Sequence, residues 1–459
     1  MTTEEAKRPG AAALADALAW AGTVWSQVRA GQSLEPALER VLREEVPAER
    51  RDDASVRGAV RDIAAAAVRR SAMLEYLLGQ LLHRPASAPV ASLLAVCLAQ
   101  LLARAYTEFT LVDQAVRAAR LQASTAAAAA LVNAVLREFL RRREQLEAQA
   151  AADPARRFNV PAWWLQRLQA EYGADRAHEL LAAQLRAPPL VLRVNRRRAS
   201  PAQVLADFAS AKLQASRVGA SAIWLHRAMP VDRVPGFAAG VVSVQDAGAQ
   251  LAAPWLDVGE EMRVLDACAA PGGKCAHLLE LGDCRVDAVE VDAQRAARID
   301  ANLQRLGLGA GRARVFVADV LRPQTYWDGT PYDRILLDAP CTASGVVRRH
   351  PDIPLLRRAA DVAKLATQQA KMLDALWPLL APAGRLLYAV CSVFAEEGRE
   401  QIASFVRRQR GARRLALPGG DLSGVQLLPS FADDAAKAWL EGAEPVVHDG
   451  FFYALLEKI

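Results

Sequence analysis

Between residues 263 and 392 five short apolar runs recur: RVLDA (263–267), RVDAVEV (285–291), RVFVA (314–318), DRILLDA (333–339) and GRLLYAVCS (384–392). Helical patterns separate most of them, as in Val362, Leu365, Met372, Leu373 and Leu376, which recur at helical spacing. Strands and helices that alternate in this way predict a doubly wound parallel sheet, whose ligands bind beyond the carboxyl ends of the strands. Those ends are polar here: Asp266, Glu290, Asp319, Asp338 and Cys391.

The remainder of the 459 residues is too long to share one core, so further domains are expected. Residues 1–147 read as an all-helical bundle, with apolar residues at three and four (Leu74, Leu77, Leu78, Leu81; Leu131, Val135, Leu136, Phe139) and Pro36, Pro47, Pro85 and Pro89 between helices. Residues 148–240 are broken by Pro161, Pro188, Pro189, Pro201, Pro230 and Pro235, with a helix predicted over 162–171 and a strand at LVLRVN (190–195). They read as a small mixed α+β module. Residues 241–459 hold the α/β domain.

The formal charge of +6 is modest, but arginines cluster at 141–143, 196–198, 348–349, 357–358 and 407–414. The 141 and 407 runs are taken as solvated surface; several separate runs still favour a polyanionic partner. Six cysteines without a CxxC pair make neither a disulfide framework nor a zinc site. The Ala-rich runs near Ala64 and Ala126 are too short and too interrupted to span a bilayer, and Glu4 and Glu5 stand where a signal sequence would be basic. A cytoplasmic monomer using neither metal nor membrane is expected.

After the first strand comes LDACAAPGGKCAHLLEL, a glycine turn that opens a helix. Gly272 and Gly273 allow close backbone approach at a helix N-terminus. The stretch is not a P-loop, since Cys268 and Cys275 break GxxxxGK[ST], and it lacks the dinucleotide pattern GxGxxG. A glycine loop without a phosphate cradle suits a nucleoside that carries no phosphate. Glu290 can accept both ribose hydroxyls, unless Asp292, two residues on, takes that part; Asp319 can meet an adenine amino group. S-adenosylmethionine is the ligand these acids predict.

Cys341 and Cys391 fall at the ligand ends of neighbouring predicted strands, where a core cysteine is out of place. Cys97, Cys275 and Cys284 read as ordinary core. Carbon five of a pyrimidine is a poor nucleophile, but a thiolate added at carbon six makes the ring an enamine-like species that attacks a methyl group. An acid must then serve ring N3, for which Asp338 is placed, and a base must remove the C5 proton. Pro340, without an N–H, ends the strand ladder and turns the chain.

DAPCTASGVVRRHPDI, YAVCSV, LDACAAPGGK and the terminal DGFFYA closely resemble the RsmB (Fmu, or Sun) family of ribosomal RNA cytosine-C5 methyltransferases, and LVNAVLREF resembles its NusB-like domain. The resemblance spans nearly the whole chain. It implies an all-α NusB-like bundle, a small α+β linker module and a Rossmann-like class I methyltransferase domain. It implies that Cys391 is the nucleophile and that Cys341 assists product release. It also implies that Cys268, Ala269, Ala270, Pro271, Gly272, Gly273, Lys274, Glu290, Asp319 and Asp338 contact S-adenosylmethionine, Asp338 also facing the base. The substrate implied is small-subunit ribosomal RNA, at the cytosine numbered 967 in enzymes of this type. Val390 and Thr342 stand where the family commonly has Thr and Ser, and Glu290 where it has Asp.

With that substrate, Arg348, Arg349 and His350 are expected to hold the RNA backbone beside Cys341 through salt-dependent contacts. The target base must be unpaired or flipped for a thiol to reach carbon six. Two alternatives remain at this level: a related enzyme acting on tRNA or DNA, and a non-catalytic RNA-binding or antitermination factor. A DNA-type Pro-Cys nucleophile would promote Cys341.

Overall fold

The computed structural model describes residues 11–430 and 447–459. Its contacts divide the chain into two compact units. One ends at Leu185 and also takes in Val347–Arg357; the other holds Arg186–Val346 and Arg358–Ile459.

The first unit is helical. Its central helix, Ala88–Ala103, is apolar all round and buried without a break from Ser92 to Leu101, including Cys97. A helix with no polar stripe must be covered on every side. Its neighbours are amphipathic: in Leu34–Glu44 the buried residues are Leu34, Ala37, Leu38, Val41 and Leu42, one face of a 3.6-residue period. Asp53 and Thr107 cap the helices Ala54–Val68 and Glu108–Leu121 by accepting from Ser55 N–H and Thr110 N–H.

Two expectations change here. The helical unit does not stop at 147: the helices Pro154–Phe158, Ala162–Tyr172 and Ala174–Leu185 belong to it, the first of them packing on Ser71–Leu81. Furthermore, Arg348 is not on a surface. It is completely buried, its carbonyl accepts from Arg69 Nη2 at 2.8 Å, and four residues on Asp352 Oδ2 accepts the Leu34 amide at 3.0 Å. These anchors draw residues 348–352 into the helical unit, so a phosphate contact by the Arg348 guanidinium is withdrawn. Arg349 is half-buried and His350 exposed.

The second unit holds two sheets. The smaller contains β1 (Leu190–Val194), β2 (Ala215–Arg217), β3 (Ala222–Leu225) and β4 (Val242–Val244), in the order β2-β3-β1-β4 and antiparallel throughout. Helix Pro201–Ser210 carries a capping box, Ser200 with Gln203, and buries Val204 and Phe208 against Leu192, Val194, Ile223 and Leu225. Because β4 pairs with β1, this module runs past the expected limit at 240.

The larger sheet contains β5 (Arg263–Ala267), β6 (Arg285–Glu290), β7 (Ala313–Val317), β8 (Tyr332–Asp338), β9 (Leu380–Val390), β10 (Ala412–Leu415), β11 (Val425–Leu427) and β12 (Phe451–Lys458). The order is β10-β12-β9-β8-β5-β6-β7, with β11 pairing β12. Strands β5 to β9 are parallel. Strand β12 runs antiparallel between β9 and β10, so the sheet is mixed where a purely parallel one was expected. Successive residues go to opposite faces: Val264, Leu336 and Leu387 to one core, Leu265, Leu337, Leu386 and Tyr388 to the other. The chain leaves β5 toward β6 and β7, then returns to β8 on its other side. Hence the switch point, where such sheets open a ligand crevice, lies between β5 and β8.

Candidate active site

Beyond β5 the chain turns sharply. Cys268 has φ +63° and Gly272 φ +94°, the Ala269 amide donates to Val289 O at 3.0 Å, and helix Gly273–Leu281 starts at once. Gly272 is the position that requires glycine: besides its left-handed φ, a Cβ would stand 3.1 Å from Ile299 Cα. At Gly273 the nearest atom to an added Cβ is Gln245 Nε2 at 3.6 Å, an ordinary contact. Gly272→Ala is therefore expected to weaken binding of S-adenosylmethionine about tenfold, and Gly273→Ala far less. Calorimetry on both variants checks this, and equal losses would contradict it.

From the next helix Lys274 Nζ reaches Asp338 Oδ2 at 2.6 Å, joining the glycine turn to the end of β8. Burial alone would lower the Lys274 ammonium, but Asp338 first, then Cys391 and Asp266, hold it above its usual value. Asp266 sits fully buried beneath, and among the described residues neither carboxylate oxygen has a hydrogen-bond partner, although the Cys275 amide lies near enough to favour the anion slightly. Burial, and then Asp338, push its pKa up to about 8. The unfolded chain gives up this proton near 4, the fold only near 8, so Asp266 costs stability increasingly as pH rises between those values. Asp266→Asn is expected to gain in melting temperature over the parent at pH 9 and to show little gain at pH 4.

Glu290, at the end of β6, is buried; its Oε1 accepts from the Asp292 amide and Arg295 Nη1, each at 3.2 Å, while Oε2 has no partner among the described residues. Asp292 is committed elsewhere: it caps helix Ala293–Leu306, accepting the Arg295 amide at 2.9 Å. Of the two acids, Glu290 keeps a buried oxygen that meets no donor among the described residues. Asp319, after β7, is half-buried, its Oδ1 accepting the Leu321 amide at 2.9 Å. A nucleoside fits this set of a left-handed glycine turn and acids at the ends of β6 and β7.

Cys341, after β8, and Cys391, after β9, lie side by side with sulfurs 3.4 Å apart. The hydrogen bond with Cys391, then burial, hold the Cys341 thiol well above its ordinary pKa. Cys268 is pushed up to about 12, chiefly by burial and then by Asp338 and Glu290, and Cys275 is raised by burial. Both stay thiols. Cys97, Cys275 and Cys284 are fully buried, as core residues should be. Among the described residues no group of three or more His, Cys, Asp or Glu stands where it could hold a metal, and no helix is long and apolar enough to cross a membrane.

Two arginines of the 196–198 cluster, and Arg193 just before it, are committed to contacts within the protein. Arg193 of β1 is buried and gives a two-pronged bond to Glu280 (2.9 and 2.7 Å), while its Nη1 reaches Gly273 O (2.6 Å) and Gln245 Oε1 (2.5 Å). Arg197 donates to Leu279 O and Gly282 O, and Arg198 to Leu306 O, where two helices end. These side chains fasten the small module to the sheet that carries the glycine turn. Sequence reading missed Arg193; a lone charge inside the apolar run LVLRVN was the one local sign.

A glycine turn after the first strand of a largely parallel sheet, with acids at the next strand ends, defines a Rossmann-like α/β methyltransferase. Residues 253–457 match the model of the 16S rRNA methyltransferase RsmB/F, residues 160–232 its ferredoxin-like domain, and residues 17–141 the NusB family. Ribosomal RNA small subunit methyltransferase B of Pseudomonas putida is 40% identical over 414 residues, 88% of this chain and 91% of that protein. The same enzyme of Vibrio cholerae is 42% identical over 333 residues, 72% of each. Among solved structures, PH0851 superposes with a TM-score of 0.74 at 21% identity, covering 96% of this chain and 99% of that one. NSun6 from Pyrococcus horikoshii, solved with SFG, gives 0.56 at 17%, covering 65% and 98%.

The chain belongs to the RsmB/F family of 16S ribosomal RNA methyltransferases. The expected architecture stands: a NusB-type helical domain, a ferredoxin-like module and an α/β methyltransferase domain.

Proposed function

We propose that this methyltransferase acts on carbon five of a cytosine in 16S ribosomal RNA, by way of a covalent bond from Cys391 to carbon six. The observation that carries the reading is the pair of thiols 3.4 Å apart at the ends of adjacent strands, beside the Lys274–Asp338 ion pair. One thiol would be enough for attack; two, with one kept protonated, suit an attack followed by elimination.

S-adenosylmethionine, when bound, supplies a methyl group carried on a sulfonium. Gly272 and Gly273 admit it, Glu290 Oε2 accepts its ribose hydroxyls and Asp319 faces its adenine, with the remainder of the turn from Cys268 to Lys274 and Asp338 lining the approach. Cys391 adds to carbon six. The proton shared between Lys274 and Asp338 serves N3, taking up the charge that addition puts on the ring. Cys341 keeps its proton at this stage, because Cys391 beside it chiefly holds its thiol up. Once Cys391 is spent in the adduct that cause is gone, and Cys341 becomes more acidic at the step that needs a base. With its own proton given up to solvent, the Cys341 thiolate takes the C5 proton, the carbon–sulfur bond to Cys391 breaks, and N3 returns its proton to the Lys274–Asp338 pair. Of the basic run, His350 is exposed and Arg349 half-buried, and both are proposed phosphate contacts; a ribosomal substrate implies work in the cytoplasm.

The test is methyl transfer from labelled S-adenosylmethionine to 16S ribosomal RNA and to tRNA, with the product mapped by bisulfite sequencing. Label at a 16S cytosine, position 967 being the first examined, is the expected result. Label on tRNA alone, or on a base other than cytosine, would replace this reading.

A further inference from the structure

Each cysteine of the pair is followed by a hydroxyl residue, Cys341 by Thr342 and Cys391 by Ser392, and both hydroxyls are fully buried. They converge on one carboxylate. Glu397 Oε2 accepts from Thr342 Oγ1 at 2.5 Å and from Ser392 Oγ at 2.6 Å. Its Oε1 accepts the Thr342 amide at 2.8 Å and Gln369 Nε2 at 3.1 Å. Ser344 completes the lacing, its Oγ lying 2.9 Å from Ser392 Oγ and accepting the Val393 amide at 2.9 Å, while the Gly345 amide donates to the Cys391 carbonyl at 3.0 Å.

We propose that Glu397 is a positioning residue that sets the separation of the two cysteine sulfurs by gripping the residue after each. It rests on the reading of Cys341 and Cys391 as the working pair. A carboxylate accepts at both oxygens and donates at neither, so one side chain can hold the hydroxyl and amide of Thr342 together with the hydroxyl of Ser392. Glu397 is wholly buried, as are Thr342, Ser344, Ser392 and Gln369, so water cannot take over if it is lost. Burial pushes its carboxyl up, and the Ser392 and Thr342 donors pull it back. None of the hydrogen bonds named here goes to Glu290, Asp319 or Asp338, the acids assigned to the cofactor, so thiol geometry can be tested apart from cofactor binding.

Phenylarsine oxide provides a probe that needs neither RNA nor cofactor. It exchanges its oxygen for two thiols, with release of one water, and does so tightly only where the thiols stand side by side. In the whole protein, bridging is expected to require both Cys341 and Cys391, read by intact mass and by loss of each in Cys341→Ala and Cys391→Ala. Glu397→Ala is expected to weaken the bridge about tenfold or more, and Glu397→Gln, which keeps four hydrogen bonds within reach, by no more than about threefold. The turnover number for methyl transfer should fall in the same order, with KM for RNA and affinity for S-adenosylmethionine unchanged. Should Glu397→Ala fail to fold, Thr342→Val with Ser392→Ala removes both hydroxyl donors and leaves the carboxylate, and the same tenfold weakening is expected. A wild-type protein that forms no bridge, variants that bridge as well as it does, or an equal loss of cofactor affinity would each overturn the proposal. A protein that bridges normally yet does not methylate cytosine would remove the reading of its substrate and leave the positioning of the thiols intact.

Discussion

Cys391→Ala is expected to lower methyl transfer by about six orders of magnitude, the scale seen when a covalent nucleophile is removed, and to leave no protein bound to RNA on a denaturing gel. Cys341→Ala should behave in the opposite way on that gel. Its Cys391 can still add to carbon six and the methyl group can still move, but nothing next to the adduct takes up the C5 proton. Protein joined to methylated RNA then accumulates as a slow band. The 3.4 Å between the sulfurs makes the comparison sharp, since either could reach the same atom. The asymmetry lies in Cys341, which is the more enclosed and holds its proton through the Cys391 neighbour. A band that needs Cys341 and not Cys391 would reverse the roles. Two variants with equally mild losses and no band would reduce both residues to packing.

Arg193→Met should be the most damaging single change outside the cysteine pair. Arg193 and Glu280 have side chains 1% and 0% exposed, and burial already raises the Glu280 carboxyl despite the arginine. Removing one partner of such a pair leaves an uncompensated buried charge, at a cost of about 3–5 kcal/mol. For a domain of this size that is roughly 10 °C in melting temperature. The carbonyl of Gly273 loses a donor in the same stroke, so cofactor affinity should drop as well. Arg193→Met combined with Glu280→Leu removes both charges and should recover most of the melting temperature without restoring the affinity. A scanning-calorimetry series on the two variants distinguishes the effects; a single variant as stable as the parent would deny the pair its role.

Much of this was legible in the residues because the information is local. RVLDA is β5 to the residue, the predicted helix at 162–171 is one residue short of Ala162–Tyr172, and the strand at 190–195 one residue too long. Strand direction is not local. Phe451–Leu456 is a continuous buried run that reads the same whether it runs with its neighbours or against them, so the antiparallel β12 was not foreseen. Charge is read with least certainty of all. Arg197, Arg198 and Arg348 looked like surface for a polyanion, yet the first two reach carbonyls more than eighty positions away and the third is buried. Glu397 was invisible for the same reason: its donors come from Thr342, Gln369 and Ser392, and no short pattern joins them.

The segment Val347–Arg357 gives the helical unit a calendar. Its Asp352 accepts the Leu34 amide, its Arg348 carbonyl accepts Arg69, and Leu355 packs against the bundle's core, but all three are made long after Leu185 has left the ribosome. At translation rates of about 5–20 residues per second, that wait is on the order of ten seconds. The bundle therefore spends that time as an incomplete domain whose last piece is still being synthesised, and it cannot be finished before most of the parallel strands exist. A chain cut at Arg186 would yield helices with a vacant seat, a different object from a shorter but complete domain.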